Sequence, residues 1–138
     1  MKRHWVEFTE DWSPGPMTFW VHVPSTSDPS VFKPPAPLWI PGKGFPVYFA
    51  EVDGFTFQFA SLDELRVCVS VLGKKLLPNT LKLAKAQGGD PDQHWLRLMP
   101  DATKPYRYRQ KAVKYLVRAL KDFENQLWSS AKHNDVSE

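Results

Sequence analysis

The most distinctive chemical feature of the sequence is a run of cations near its carboxyl end. Between Asp101 and Asp122 the chain carries seven basic residues and no acidic one. At about 100° per residue, five of them fall in one narrow stripe along a helix that we predict from Pro105 to about Ser130. With the lysine just before that helix, the predicted binding stripe comprises Lys104, Arg107, Lys111, Lys114, Arg118 and Lys121.

A basic helix with aromatic residues nearby can follow a phosphate backbone and stack bases. Trp95 and Tyr106 are the aromatic residues that we predict to stack. The alternatives are a solvated helix face with Arg118 and Asp122 as an i,i+4 pair, an acidic protein partner, and an anionic small ligand. Because charge runs are usually solvated, the sequence favours solvent or a protein partner over nucleic acid.

Other reactive residue types are scattered. The four histidines show no HxxxH spacing and the chain has no CxxC, so we predict neither a metal site nor a cofactor. Cys68 lies beside an apolar helical stripe, which is typical of a buried hydrophobe rather than a nucleophile. Nothing in the sequence brings two carboxylates together. These residue patterns argue against an enzyme. A small enzyme with an unidentified pocket is the third functional hypothesis.

The 138 residues fit one domain, 1–138. A single cysteine excludes an intramolecular disulfide, which favours a reducing compartment. No apolar run approaches about 18 residues, and the segment Met1–Glu7 lacks a signal-peptide core. We therefore expect a cytoplasmic protein without a membrane segment.

A hairpin followed directly by a helix organises the predicted fold. Asp53-Gly54 lies between two β-rich runs, and a two-residue type I′ loop needs positive φ at both positions. The loop sets the register of the two strands. In that register six residues share one face of the hairpin, which we predict to be the buried face. The predicted pairs are Val52 with Phe55, Ala50 with Phe57, and Tyr48 with Phe59.

Ser61 and Glu64 form a capping-box pattern at the start of the helix. Its predicted buried stripe leaves Val67 and Val71 on the far side, where they need a cover. Two-fold self-association is a common cover in small proteins, so we predict a homo-oligomer through this face. The buried stripe comprises Leu62, Leu65, Val69, Leu72 and Leu76.

The remaining elements complete an α+β fold. Alternation over His4–Thr9 and Thr18–Val23 predicts a first, wide-looped hairpin, which gives a four-stranded antiparallel sheet of two hairpins. A proline-rich loop spans 24–46, and three helices follow, packed on one face of the sheet. We expect the tail 132–138 to fray. The predicted buried face of the long helix comprises Tyr108, Ala112, Tyr115, Leu116, Ala119, Phe123 and Leu127.

Four segments resemble a family of uncharacterised bacterial proteins often found in integron gene cassettes. They read GFPVYFAEVDGFTFQFASLDEL, SVLGKKLLP, HWL and KPYRYRQKAVKYL, and the likeness covers roughly residues 44–123. The family implies no activity and no site residues. The resemblance implies an accessory product of a mobile bacterial gene.

The leading functional hypothesis is thus a non-enzymatic accessory binding protein that acts through protein contacts, with itself or another chain. The second is a nucleic-acid-binding protein that uses the basic helix over 104–121.

Overall fold

The computed structural model describes residues 1–137, with side chains through residue 126. The predicted burial of Leu127 and the expected fraying of the tail 132–138 lie outside the described side chains. The strands are β1 (Lys2–Thr9), β2 (Val23–Pro24), β3 (Phe32–Lys33), β4 (Phe45–Val52) and β5 (Phe55–Phe59). The helices are α1 (Thr18–Val21), α2 (Leu62–Leu72), α3 (Thr80–Ala86), α4 (Trp95–Leu98) and α5 (Tyr106–Ser137). Short 3₁₀ turns lie at Pro91–Gln93 and Asp101–Thr103.

The central hairpin has the predicted register. Tyr48 opposes Phe59, and Val52 opposes Phe55. Asp53 and Gly54 have φ values of 50° and 95°, so both loop residues occupy the left-handed region that a type I′ turn requires. The prediction of this hairpin is confirmed.

The predicted first hairpin is wrong. Strand β1 pairs antiparallel with β4, so β4 is the middle strand of a three-stranded sheet in the order β1-β4-β5. The segment predicted as its partner forms helix α1, and then β2, which pairs with β3 in a separate ribbon. The α+β class is confirmed, whereas the described chain has five α-helices and two sheets instead of three helices and one four-stranded sheet.

Buried polar groups need partners, and this explains why residues 18–21 form a helix rather than the predicted strand. Thr18 and His22 lie one helical turn apart, and both side chains reach the buried carboxylate of Glu64. In a strand, residues four apart also share a face but lie about 13 Å apart, too far to contact one carboxylate. The apolar alternation at Phe19, Val21 and Val23 was therefore misleading, and Phe19 is exposed.

Helices α2 and α5 cover the inner face of the main sheet and pack against each other. Leu65, Cys68 and Leu72 of α2 are fully buried, as is the sheet residue Val52. The predicted stripe of α2 is too long, because the helix ends at Leu72 and Leu76 is 83% exposed. Among the described residues, no helix combines the length and the apolar character needed to cross a membrane.

Substitutions on the two faces of β5 should differ sharply in their effect on stability. Phe57 is buried against the core, whereas its neighbour Thr56 is exposed. We expect Phe57→Ala to lower the free energy of unfolding by about 3–5 kcal/mol. Thr56→Ala should change it by less than about 1 kcal/mol. Similar losses for the two variants in urea melts would contradict the assignment of the buried face.

Candidate functional site

Most of the predicted basic stripe lines one groove on the surface of α5. The groove has a volume of about 590 Å³ and runs beside the amino end of β1, which contributes Lys2. Because α5 holds its cations at i, i+3 and i+4 spacings, they project toward the same side. The lining residues are Lys2, Lys111, Lys114, Tyr115, Val117, Arg118 and Lys121.

The four cations that α5 contributes to the groove have no ion-pair partner among the described side chains. Within the part of the chain whose side chains are described, no carboxylate oxygen lies within 4 Å of their charged nitrogens. The predicted Arg118–Asp122 pair does not form, because Asp122 is bonded to His4 on β1 instead. The groove therefore presents positive charge to solvent.

At one end of the groove, Lys2 makes a single long contact with a carboxylate. Lys2 Nζ lies 4.0 Å from Asp53 Oδ1 in the hairpin loop. The N-terminal ammonium group, 3.0 Å from the same oxygen, holds the pKa of Asp53 below its ordinary value. Lys2 and Lys111 add to that effect by their charge.

Two residues of the predicted stripe lie outside the groove. Lys104 is engaged with its own neighbourhood: its ammonium group donates to the Arg97 carbonyl at 3.2 Å and lies 3.6 Å from Asp101 Oδ1. Arg107 is exposed but does not line the groove. The structure thus shortens the predicted stripe at its amino end.

The seventh cation of the run, Arg109, is buried and serves the fold. Its Nε donates to the Lys104 carbonyl at 2.8 Å, and its two terminal nitrogens donate to the carbonyls of Leu72, Lys74 and Lys75. The last carbonyls of a helix lack partners within the helix, so this guanidinium caps the end of α2. Arg109 fixes α5 against α2.

The two residues predicted to stack on bases differ in their exposure to solvent. Trp95 is only 6% exposed and packs in the core, so the prediction that it stacks on bases is wrong. Tyr106 is exposed, with the guanidinium of Arg109 5.2 Å from its ring centre. The aromatic residue that lines the groove is Tyr115.

Tyr115 belongs to a hydrogen-bonded chain that joins β1 to α5. Its hydroxyl oxygen lies 2.6 Å from His4 Nδ1, and His4 Nε2 lies 2.9 Å from Asp122 Oδ2. A carboxylate only accepts, so in the neutral imidazole Nε2 carries the hydrogen and Nδ1 accepts from the phenol. Tyr115 and His4 therefore form an acid and base pair at the edge of the groove.

Sequence reasoning missed this chain for two reasons. Tyr115 was assigned to the buried face of the helix, yet at 100° per residue it lies only about 60° from Arg118 and 40° from Lys111. His4 was assigned to a hairpin that does not form. The helical spacing could have placed Tyr115 beside the stripe, whereas its contact with β1 depends on a long-range strand pairing.

A second polar cluster, around Glu64, is buried among α1, α2 and the proline-rich loop. Glu64 Oε1 accepts from the Ala60 amide at 3.0 Å, and Oε2 accepts from Thr18 Oγ1 at 3.2 Å. Ser61 Oγ accepts from the Glu64 amide, as the capping box predicts, but the Glu64 carboxylate binds Ala60 rather than Ser61 in return. The Glu64 side chain is fully buried.

His22 links this cluster to the proline-rich loop. Its Nδ1 donates to the Pro34 carbonyl at 3.0 Å, while Nε2 lies 2.8 Å from Ser61 Oγ and 3.4 Å from Glu64 Oε2. Serine, histidine and glutamate together suggest hydrolytic chemistry. His22 is only 2% exposed and Ser61 6%, so the cluster is enclosed by the fold, where it links α1, the start of α2 and the proline-rich loop.

The remaining reactive groups lie in apolar surroundings. Cys68 is fully buried, and burial raises the pKa of its thiol. It contacts a cavity of about 180 Å³ beside β5, whose other lining residues are mostly apolar. Among the described residues, no group of three or more histidine, cysteine, aspartate or glutamate side chains could hold a metal ion.

The predicted oligomer face is partly covered by the chain itself. Val67 and Val71 are half-buried and pack against the core cluster. The prediction of a symmetric copy rested on two uncovered valines, and this partial cover weakens it. Self-association through this face stays a prediction.

Comparison of the chain with protein-family models, with curated proteins and with solved structures finds no match. The resemblance to integron-cassette proteins therefore stays a prediction.

The buried Glu64 carboxyl should make stability depend on pH. Burial raises its pKa above the ordinary value of 4.5, against the opposing effects of Ala60, His22 and Thr18. The stability that the neutral carboxyl contributes is therefore fully present below about pH 4.5 and is lost as pH rises through the raised pKa. Glu64→Gln stays neutral, so we expect the unfolding free energy of wild type to fall relative to this variant as pH rises from 4.5.

Urea melts at several pH values measure this difference. Glu124→Gln provides the matched control, because Glu124 is exposed on α5. A constant difference between wild type and Glu64→Gln from pH 4 to 8 would contradict the assignment.

Proposed function

We propose that the protein binds nucleic acid through the groove between β1 and α5. The observation that carries this proposal is the set of five groove cations, of which the four on α5 have no carboxylate within 4 Å among the described residues. Lysine and arginine side chains bind a phosphate backbone by displacing condensed counterions, which needs unpaired cations. A groove whose cations were already paired with carboxylates would gain far less binding free energy from counterion release.

The geometry of the cations fits a polymer of regularly spaced charges. From Lys111 to Lys121 the stripe runs ten residues along α5, or about 15 Å. That length matches about four phosphates along one strand of a duplex. A linear row of cations on a rigid helix is therefore suited to a phosphate backbone.

The side chains between the cations support the same ligand. Tyr115 and Val117 give the groove an apolar component next to its charges. Sugars and bases present apolar surface between phosphates, and proteins that bind single strands combine basic grooves with aromatic side chains. An acidic protein partner would meet the same cations and is the main alternative outcome.

Salt dependence provides the first test. Five contacts to phosphates predict that the logarithm of the association constant falls against the logarithm of salt concentration with a slope of about −4.5 for duplex and about −3.5 for single strands. Fluorescence anisotropy with labelled oligonucleotides measures both slopes. Combining Lys114→Glu with Arg118→Glu should abolish binding at 150 mM salt, about the physiological ionic strength.

Charge reversal on α3 supplies the matched control. Lys82 and Lys85 are exposed and do not line the groove, so Lys82→Glu with Lys85→Glu makes the same change in net charge elsewhere. This variant should keep most of its affinity at the same salt concentration. Equal loss in the two double variants would show that overall charge, and not the groove, determines binding. Equal competition by polyglutamate would instead favour an acidic protein partner.

A further inference from the structure

The groove contains a phenol that is placed as a nucleophile. Tyr115 Oη lies 2.6 Å from His4 Nδ1, and His4 Nε2 lies 2.9 Å from Asp122 Oδ2. A hydroxyl within hydrogen-bond reach of a base, which a third group orients in turn, is the arrangement of an activated nucleophile. We propose that Tyr115 attacks a phosphodiester of the nucleic acid in the groove. His4 acts as the general base and Asp122 as a positioning residue. This inference rests on the proposed binding function.

The hydrogen bonds fix the direction in which the proton moves. Asp122 accepts from His4 Nε2, which leaves a lone pair on Nδ1 toward the phenol. As negative charge develops on Tyr115 Oη, that lone pair takes the phenol proton. The resulting imidazolium carries a positive charge next to the Asp122 carboxylate, which stabilises it.

The phenol must be deprotonated by His4 during the reaction rather than beforehand. Partial burial raises the pKa of Tyr115, and the positive charge of Arg118 opposes that rise. The resting residue is therefore a phenol at neutral pH. Assistance by a correctly placed base is worth about 10²–10⁴-fold in rate, which is the contribution that His4 would supply.

The groove cations supply the second requirement for phosphoryl transfer. Lys111, Lys114 and Arg118 line the same groove as Tyr115. Fixed positive groups at the position where charge develops stabilise the transition state more than mobile solvent does. The same side chains that hold the backbone would thus neutralise the oxygens of the phosphate under attack.

The proposed step is balanced without a further reactant. A bond forms between Tyr115 Oη and phosphorus as the bond from phosphorus to one sugar oxygen breaks. The phenol proton passes to His4 Nδ1, and the leaving oxygen takes a proton from a groove ammonium group, which recovers one from the imidazolium through solvent. The products are a phosphotyrosine-linked strand and a strand with a free sugar hydroxyl, and attack by that hydroxyl reverses the step.

A covalent adduct is the direct readout. The full chain is incubated with random-sequence oligonucleotide pools, single- and double-stranded, labelled at either end, and then denatured in detergent. We expect labelled protein of reduced electrophoretic mobility, and peptide mass spectrometry should place the nucleotide on Tyr115. Binding is measured in parallel by anisotropy, so that failure to bind is distinguished from failure to react.

Conservative variants separate catalysis from a purely structural link between β1 and α5. Tyr115→Phe keeps the ring and all five cations but removes the hydroxyl, so it should abolish the adduct. Its affinity for the pool is measured in the same samples, so that a loss of reaction is separated from any loss of binding. Tyr106→Phe should retain the adduct, because that exposed phenol lies outside the groove. His4→Gln should slow adduct formation by about 10²–10⁴-fold.

The positioning role of Asp122 needs a measurement that would stay unchanged if the residue were only structural. Asp122→Asn keeps a hydrogen-bond acceptor but removes the charge, so we expect a lower rate and a changed pH profile of adduct formation. Asp122→Glu should restore part of the rate. Thermal melts check that each variant is folded at the assay temperature.

Three outcomes would overturn the inference. Binding without an adduct in the wild type contradicts it and leaves the proposed function standing. An adduct that persists in Tyr115→Phe also contradicts it. Absence of binding to every pool at low salt overturns the proposed function and this inference together.

Discussion

The candidate site depends on the pairing of β1 with the middle of the sheet. Because β1 lies against β4 with His4 opposite Ala50, its inner-face residues point toward α5. His4 then bonds to Tyr115 and Asp122, and Lys2 comes to line the groove. If β1 paired with residues 18–23 instead, α5 would keep its cations, but the groove would lose Lys2 and the phenol would lose its base.

Two buried polar anchors connect the helices to the rest of the fold. Arg109 donates to three carbonyls at and just after the end of α2, which ties α5 to α2. Glu64 binds Thr18 of α1 and the amide of Ala60, two residues before α2, and His22 extends the contact to the proline-rich loop. Buried charges and polar groups are tolerated only with such partners, so these contacts define the packing as well as stabilise it.

Local signals in the sequence were sufficient for the central hairpin, α2 and α5, but not for α1 or for the pairing of the first strand. The Asp53-Gly54 loop, the Ser61 cap and the helical period of 106–123 are local patterns, and each produces the predicted element. The alternation at 18–23 was misinterpreted because a distant carboxylate, Glu64, recruits Thr18 and His22 to one helical face. Most of the basic stripe was found, since it follows from helical spacing alone. The partner of Tyr115 was not, because His4 lies on a strand more than 100 residues away.

Photo-crosslinking tests most directly whether nucleic acid occupies the seam between β1 and α5. Oligonucleotides that carry a photoreactive thio-substituted base are irradiated with the protein, and the crosslinked peptides are sequenced by mass spectrometry. The account predicts crosslinks at Lys2, at the amino end of β1, and in residues 111–121 of α5, which line the groove. Crosslinks confined to α3, or to the face of the sheet turned away from α5, would contradict the account.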